Sequence, residues 1–387
     1  MERREFLKLA GVAAVAVRFP SLVGGGGSGP YGELLSPDAN GIMLPEGFRA
    51  VEVARSNQAV GSSGYVWHRF PDGGATFPFE GGGWIYTSNS EVPNAGQGGA
   101  GALRFDRGGE VVDAYPILEG THTNCAGGPT PWGTYLSCEE FDGGQVWECD
   151  PTGGEPAVVR PALGAFEHEA AAVDPKREQI YLTEDVPDGR LYRFTPDQYP
   201  NLDAGTLEVA AVDDDGRVTW HELSDPSATG APTRQQVPES TAFDGGEGIW
   251  YEAGIVYFVT KGDQKLWAYD AKRARLTTMY DPAGESDSPI SSVDNIVMMP
   301  GGDLLVAEDQ TADQELVLIT PAGAAVPLLR MDASHGGSEL CGPAFSPDGR
   351  HLYFSSQRGA GGSGATYAVT GPFEQAKKKA KRRKERG

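Results

Sequence analysis

A short apolar segment that ends in polar or acidic residues recurs six times along the chain. The copies are WIYTSN (84–89), TYLSCEE (134–140), IYLTED (180–185), VYFVTKGD (256–263), LLVAED (304–309) and LYFSSQ (352–357). Aligned copies lie 46 to 50 residues apart, except for one interval of 76 between the third and the fourth. Short apolar runs separated by turn residues are typical of β-strands, and no long stretch has the period of a helix.

This repeat predicts an all-β protein folded as a six-bladed β-propeller. A period in the high forties is the length of one four-stranded blade, and six blades close a ring without long exposed edges. The 54 glycines and 28 prolines also favour turns and short strands. We expect the extra residues near 198–237 to form a surface loop between the third and fourth blades. A β-sandwich or two small β-domains is the alternative fold.

The ends of the repeated segments carry most of the candidate metal ligands. The innermost strands of a propeller converge on the mouth of the central channel, and we expect the repeated segments to supply them. Acidic pairs end three copies, at Glu139 and Glu140, Glu184 and Asp185, and Glu308 and Asp309, and Asn89 and Glu91 lie near the end of another. Converging carboxylates are tolerated best around a cation, so the pattern predicts a metal site, with exposed turn acids as the alternative.

The net charge makes nucleic acid an unexpected partner. The chain carries a formal charge of −22, and the tail 374–387 holds eight basic and two acidic residues, so the rest carries about −28 (−22 minus +6). A body this acidic repels phosphate backbones. We interpret the basic tail as a disordered, solubilising end.

The first residues indicate export. Arg3 and Arg4 precede Phe6-Leu7-Lys8, which is similar to the twin-arginine signal of bacteria, although an ordinary charged N-terminus is the alternative. The apolar stretch 9–17 is far shorter than the roughly 20 residues that span a bilayer, so we expect no stable membrane insertion. We divide the chain into a signal with a glycine-rich linker (1–30), the propeller (31–373) and the tail (374–387). We expect a periplasmic or extracellular monomer, in which four cysteines permit two disulfides.

The segment GTHTNCAGGPTPWGTYLSCEE (120–140) resembles the signature of the PhoX-type alkaline phosphatases and their shorter relatives. Its glycines and prolines let the backbone turn tightly beside Cys125. Other segments of the chain also resemble the family and stand in the family's order. They are SNSE (88–91), FEHEAAAVD (166–174), YLTED (181–185), GGEGIWYEAGIVYFVTKGD (245–263), VDNIVMMPGGDLLVAED (293–309) and SELCGPAFSPDG (338–349). The first, before the signature in the chain, resembles the Asn-His-Glu element of the family. The resemblance covers about residues 40–372.

The resemblance implies an exported propeller that hydrolyses small phosphomonoesters with two ferric irons and calcium ions. Its implied best metal ligands are Cys125, Glu140, Glu169 and Glu247. Its second-rank ligands are Glu91, Glu139, Glu184, Asp185, Glu308 and Asp309. Asn89 and Asn124 are assigned to substrate binding, and no residue is assigned a catalytic role. His168, beside Glu169, is a ligand, a residue that orients one, or a core histidine.

Two departures from the family leave other functions open. Larger members place a phosphate-clamping arginine two residues before the blade-four glutamate, where this chain has Gly245, and Ser90 replaces the histidine of the Asn-His-Glu element. We predict an exported metal-dependent phosphomonoesterase. The alternatives are a non-catalytic calcium-binding extracytoplasmic propeller and a calcium-dependent hydrolase of another ester or a lactone. Cys125 argues against the last, since such sites typically use Glu, Asn and Asp without cysteine.

Overall fold

The structure is a computed structural model that describes residues 29–283, 288, 290–309, 314–320, 323–359 and 363–373. Six antiparallel sheets form a ring, and the described residues contain strands and short 3-10 turns but no α-helix. The prediction of a six-bladed β-propeller is therefore confirmed. Residues 1–28 of the predicted signal and the predicted tail lie outside the described residues. No described helix has the length and apolarity of a membrane span.

The strands follow one another blade by blade. Strands β1 (Ile42–Met43) and β2 (Arg49–Arg55) come first. Blade 1 contains β3 (Pro71–Pro78), β4 (Trp84–Ser90), β5 (Gly98–Phe105) and β6 (Val111–Thr121), and blade 2 contains β7 (Asn124–Pro129), β8 (Tyr135–Glu139), β9 (Val146–Cys149) and β10 (Val158–Val159). Blade 3 contains β11 (His168–Asp174), β12 (Gln179–Glu184), β13 (Leu191–Gln198), β14 (Asn201–Val212) and β15 (Val218–Glu222).

The second half of the ring has the same design. Blade 4 contains β16 (Gly246–Glu252), β17 (Ile255–Thr260), β18 (Lys265–Asp270) and β19 (Arg275–Tyr280). Blade 5 contains β20 (Val293–Met298), β21 (Leu304–Glu308), β22 (Glu315–Ile319) and β23 (Ala325–Met331), and blade 6 contains β24 (Leu340–Phe345), β25 (His351–Ser356) and β26 (Ala365–Thr370). Short 3-10 turns lie at Glu80–Gly82, Pro161–Leu163, Thr233–Gln235 and Ala333–His335.

The ring is closed by the N-terminal part of the described chain. Strand β2 pairs with β26 as the outermost strand of blade 6, and β1 pairs with β23 at the edge of blade 5. Between the first and last blades, Tyr86 stacks on Tyr353 with ring centroids 5.0 Å apart. The indole Nε1 of Trp84 donates to the Tyr353 hydroxyl at 2.8 Å. Pairing of distant chain segments and aromatic packing thus hold blades 1 and 6 together.

The predicted loop between the third and fourth blades is partly wrong. Residues 201–222 form β14 and β15, which complete blade 3 as a five-stranded sheet. Leu207 and Val209 in β14 are buried, because this strand still packs one face into the core. Only the residues after β15 are a connection, and it contains the Thr233–Gln235 turn.

The expectation that the repeated segments are the innermost strands is wrong. They are the second strands of the blades, β4, β8, β12, β17, β21 and β25, whereas β3, β7, β11, β16, β20 and β24 line the channel. A second strand has a paired strand on each side and a blade on each face, so it is buried along almost its whole length and its first residues are apolar. Innermost strands approach one another closely. A Cβ added to Gly73 would lie 2.4 Å from the Cα of Ala126, so small residues weaken the strand pattern there.

Candidate metal centre

Each innermost strand carries an acidic residue or a cysteine at one equivalent position near its start. These residues are Asp72, Cys125, Glu169, Glu247, Asp294 and Cys341. In five blades the register to the second strand shifts across this position; in blade 2, for example, Asn124 pairs with Glu139 while Gly127 pairs with Ser137. Such a β-bulge leaves one extra residue on the strand and re-aims its side chain. The bulges therefore gather ligand side chains at one end of the channel.

The first cluster, called here the Cys125 group, consists of Cys125, Glu140 and Glu169. One potential ligand atom from each residue lies within 4.8 Å of the other two. Glu140 directly follows β8, and its backbone N–H donates to the Thr123 carbonyl at 2.8 Å. Burial, followed by nearby carboxylates, raises the pKa of the Cys125 thiol well above its usual range. A metal would reverse that effect, because it favours the thiolate.

The second cluster, the Glu247 group, consists of Glu169, Glu247 and Asp294, and it shares Glu169 with the first. Their ligand atoms also lie within 4.8 Å of one another, and all three residues are buried. Burial first, and the neighbouring carboxylates next, raise the pKa of all three well above the usual range.

Glu169 has no hydrogen-bond partner within the described part of the chain. Its exposure is 0%, and both carboxyl oxygens are buried without a donor. Buried polar groups in folded proteins are hydrogen-bonded, and a buried carboxylate is paired or coordinates a metal. The position of Glu169 between two groups of ligand atoms therefore points to a cation.

The third cluster, the Asp72 group, consists of Asp72, Glu91 and Glu339. Its ligand atoms meet the same 4.8 Å limit. The amide of Gln357 donates to both Asp72 and Glu91. Burial, with the charge of Glu91 as the next cause, raises the pKa of Asp72 to about 8. Three carboxylates held this closely form an oxygen-only site of the kind that suits calcium.

The predicted first-rank ligands thus lie together, since Cys125, Glu140, Glu169 and Glu247 all belong to the first two groups. Three of the second-rank residues lie close to these groups. Glu91 is part of the Asp72 group. The carboxyl group of Asp185 lies beside that of Glu247, and the carboxyl group of Asp309 lies beside that of Glu339.

The other three second-rank residues are engaged elsewhere in the described structure. Glu139, Glu184 and Glu308 end β8, β12 and β21, and each accepts a backbone N–H from the start of the next strand or the turn before it, at Gln145, Arg190 and Glu315 respectively. The distances are 3.2, 3.1 and 3.2 Å. These carboxylates brace the hairpin at the same place in three blades and are not members of the three groups.

Asn89 and Asn124 lie behind Cys125 with no exposed surface. The Asn89 amide donates to the carbonyls of Cys125 and Ala126 at 3.1 and 2.6 Å. The Asn124 amide donates to the Ser137 hydroxyl at 3.0 Å. Both side chains hold the bulged strand in position, and direct contact with substrate stays a prediction.

His168 is packed as a core residue, with its Nδ1 buried and without a hydrogen-bond partner among the described residues. It is fully buried, its Nε2 lies 3.0 Å from the Gly164 carbonyl, and its ring stacks on Phe166 at 3.5 Å. Burial lowers its pKa to about 3, so the ring is neutral. All four cysteines are buried and free, so the permitted disulfides are not formed.

Sequence reasoning missed Asp72, Asp294 and Glu339, together with two cations that reach the groups. Lys261 Nζ lies 3.3 Å from Glu247 Oε1 and 2.8 Å from Asp309 Oδ2, and an Arg358 guanidinium nitrogen lies 2.9 Å from Glu339 Oε1. The signal that could have found Asp72 and Asp294 is their place before a small or polar residue at the start of the weaker strands, as in PDGG and VDNI.

Comparison with known proteins identifies the family. The model of a family described as alkaline phosphatase PhoX matches residues 86–146, 142–280 and 275–359. The chain belongs to the PhoX alkaline phosphatase family. The resemblance proposed from the 120–140 segment is confirmed, and so is the prediction of a phosphoric monoester hydrolase at the level of the family. No curated protein matched the chain.

Two solved structures with TM-scores above 0.5 agree on the fold of this PhoX family member. Pseudomonas fluorescens PhoX, in complex with the transition-state analogue vanadate, is 18% identical with a TM-score of 0.71, covering 87% of this chain and 97% of that one. A protein of unknown function from Bacteroides thetaiotaomicron is 8% identical with a TM-score of 0.51, covering 83% and 76%. A gluconolactonase from Xanthomonas campestris is 12% identical with a TM-score of 0.48, covering 89% and 99%.

Proposed function

We propose that this chain is an exported metal-dependent phosphomonoesterase whose centre at the channel mouth holds iron and calcium. The observation that carries the proposal is the Glu169 carboxylate, which is fully buried, lacks a hydrogen-bond partner among the described residues and belongs to two ligand groups. Cations held by the two groups would stabilise a carboxylate in that position. Membership of the PhoX family supports the phosphatase reaction.

The donor atoms fit the proposed ions. The Cys125 group combines a thiol with two carboxyl groups, a set that iron accepts. The Glu247 and Asp72 groups offer only oxygen, which calcium prefers. When bound, the ions would neutralise the phosphoryl oxygens and favour nucleophilic attack at phosphorus.

The protein contributes rigid positioning of the ligands. Asn89 fixes the backbone of the Cys125 bulge through two hydrogen bonds to carbonyls. Gln357 holds the carboxyl groups of Asp72 and Glu91 together. Ligands fixed by supporting hydrogen bonds before an ion arrives need little rearrangement to bind it.

A non-catalytic calcium-binding propeller is the second candidate. The Asp72 group favours it, because three carboxyl groups would hold calcium whether or not a reaction follows. Gly245 also favours it, because this position supplies no side chain to bind phosphate.

The two candidates are separated by elemental analysis of the purified holoprotein beside an assay of p-nitrophenyl phosphate hydrolysis at alkaline pH with calcium. We expect iron, calcium and phosphate release. Cys125→Ser should lose iron and its colour while keeping the β-sheet circular dichroism. The matched control Cys149→Ser changes another buried free cysteine and should keep iron. Unchanged iron in Cys125→Ser would contradict the ligand set, and calcium without phosphate release would favour the second candidate.

We further propose export by the twin-arginine route to the periplasm or the cell exterior. Arg3 and Arg4, with the short apolar stretch after them, support it. This route carries folded proteins, which agrees with four cysteines that are free in the described fold.

A further inference from the structure

We propose that Lys261 binds a phosphoryl oxygen of the substrate, an inference that rests on the proposed phosphatase function. Lys261 directly follows β17, and its backbone N–H donates to the Gly245 carbonyl at 2.8 Å. Its side chain is one-third exposed, whereas the Glu247 side chain beside it is 3% exposed. The ammonium group therefore lies between the buried ligands and the solvent, on the side from which a substrate arrives.

The contacts of Lys261 join two blades. Its ammonium lies 3.3 Å from Glu247 of blade 4 and 2.8 Å from Asp309, which follows the second strand of blade 5. Of these partners, only Glu247 belongs to a ligand group. A metal bound by Glu247 would compete for that carboxylate, while Asp309 would keep the lysine at the mouth. An ammonium group has three N–H donors, and Asp309 and Glu247 would use at most two of them. At least one N–H is then left for an incoming anion.

Position 245 cannot supply this charge. Gly245 has a φ of +70°, and a Cβ built there would lie 2.9 Å from Asp185 Oδ1 and 3.4 Å from Lys261 Cβ. A side chain at residue 245 would be strained and would meet both neighbours. The space beside the blade-four glutamate is therefore used by Lys261.

Arg358 is the other cation that the described ion pairs bring to the three groups, and it is held differently. It pairs with Glu339 at 2.9 Å and lies over the Phe70 ring at 5.7 Å, so its planar head is fixed beside the Asp72 group. A lysine is a compact charge on a flexible stem and binds phosphate as a point charge. Arg358 is therefore held beside the Asp72 group, and Lys261 is the cation that lies beside the Glu247 group.

The test measures phosphate binding directly in the metal-loaded protein. Titration calorimetry with inorganic phosphate, and KM for p-nitrophenyl phosphate, are compared for wild type, Lys261→Met, Lys261→Arg and the control Lys265→Met. Lys265 lies on the same hairpin and pairs with Asp263 and Asp281 instead of a ligand group. We expect Lys261→Met to weaken phosphate binding and raise KM about 10- to 100-fold, the effect of one charged hydrogen bond. Lys261→Arg should retain most of the affinity, and Lys265→Met should stay within about twofold of wild type.

Three results would overturn the proposal. The first is a phosphate affinity of Lys261→Met within about twofold of wild type at equal metal content. The second is loss of metal from that variant, which would make the lysine a counter-ion of the metal centre. The third is the absence of phosphate binding by wild type. Should Lys261→Met fail to fold by circular dichroism, Lys261→Gln takes its place. If the wild type binds phosphate but hydrolyses no p-nitrophenyl phosphate, weaker phosphate binding by Lys261→Met would uphold the role of Lys261 and reject the phosphatase function. The two failures are therefore distinguishable.

Discussion

Replacing Glu169 with glutamine should affect the metal-free and the metal-loaded protein in opposite directions. In the metal-free protein, burial and then the neighbouring carboxylates raise the pKa of Glu169 well above its usual range. A carboxyl group with a raised folded-state pKa leaves stability intact below the unfolded-state value, about 4.3. It reduces stability as the pH rises from there towards the folded-state pKa. The glutamine has no such proton linkage.

The magnitude follows from burial of the charge. A buried polar group left without a partner costs about 1–3 kcal/mol, a cost that the glutamine amide shares with the neutral carboxyl group, whereas a buried ion costs several kcal/mol more. At pH 8 the metal-free Glu169→Gln variant should therefore be more stable than wild type by about 1–3 kcal/mol or more, because it avoids the cost of the charge. At pH 4 the two should differ by only about 0.2 kcal/mol, because the carboxyl group is then mostly neutral in both states. In the metal-loaded protein the variant should be less stable, because it has lost a ligand shared by two groups.

The assay is urea unfolding followed by circular dichroism at pH 4 and pH 8 on protein prepared without metal, and at pH 8 on metal-loaded protein. Glu139→Gln is the matched control, because Glu139 is also buried but accepts hydrogen bonds from the His122 and Gln145 N–H groups. It should not stabilise either form. A metal-free Glu169→Gln variant that is less stable than wild type at pH 8 would refute the reasoning.

Three further predictions concern the support of the centre and export. Asn89→Ala should lower the free energy of unfolding by about 1–3 kcal/mol in urea titrations and reduce iron content, because two carbonyls of the bulge lose their donor; an unchanged iron content would contradict the positioning role. Gly73→Ala should destabilise by about 1–3 kcal/mol in the same titration, because its Cβ would lie 2.4 Å from Ala126 Cα; equal stability would show that the innermost strands can separate. Replacing Arg3 and Arg4 with lysines should retain the protein in the cytoplasm, measured by cell fractionation, and normal export would reject the twin-arginine signal.

The blade repeat was predictable because second strands have a uniform environment. Tyr86 in blade 1 and Tyr353 in blade 6 are fully buried between blades, and every copy of the repeat begins with apolar residues for the same reason. The innermost strands have a weaker strand pattern, because close approach of the backbones selects glycine and alanine. Segments such as NCAGG and PDGG have turn-like composition for that reason, although they form β7 and β3.

The residues of the candidate site could be predicted from the sequence only where they stand in a distinctive segment. Cys125, Glu169 and Glu247 stand in segments that resemble a family signature, and the structure brings them together. Asp72, Asp294 and Glu339 could not be chosen among the 54 acidic residues, because their positions depend on bulges and on closure of the ring. The small or polar residues that follow Asp72 and Asp294 are a weak local signal, because acids in turns have similar neighbours.

The two adjacent acidic residues at the end of a second strand contact different parts of the protein, because their side chains point in different directions. The last residue of the strand, as in Glu139 and Glu308, points to the hairpin that follows and accepts its backbone N–H groups. The next residue, as in Glu140 and Asp309, reaches the ligand groups or the lysine that contacts them. Successive side chains of a strand point to opposite sides. In an acidic pair at this position, one carboxylate can therefore accept hydrogen bonds within the blade while the other lies at the channel mouth. The acidic pairs therefore connect the stability of each blade to the geometry of the centre.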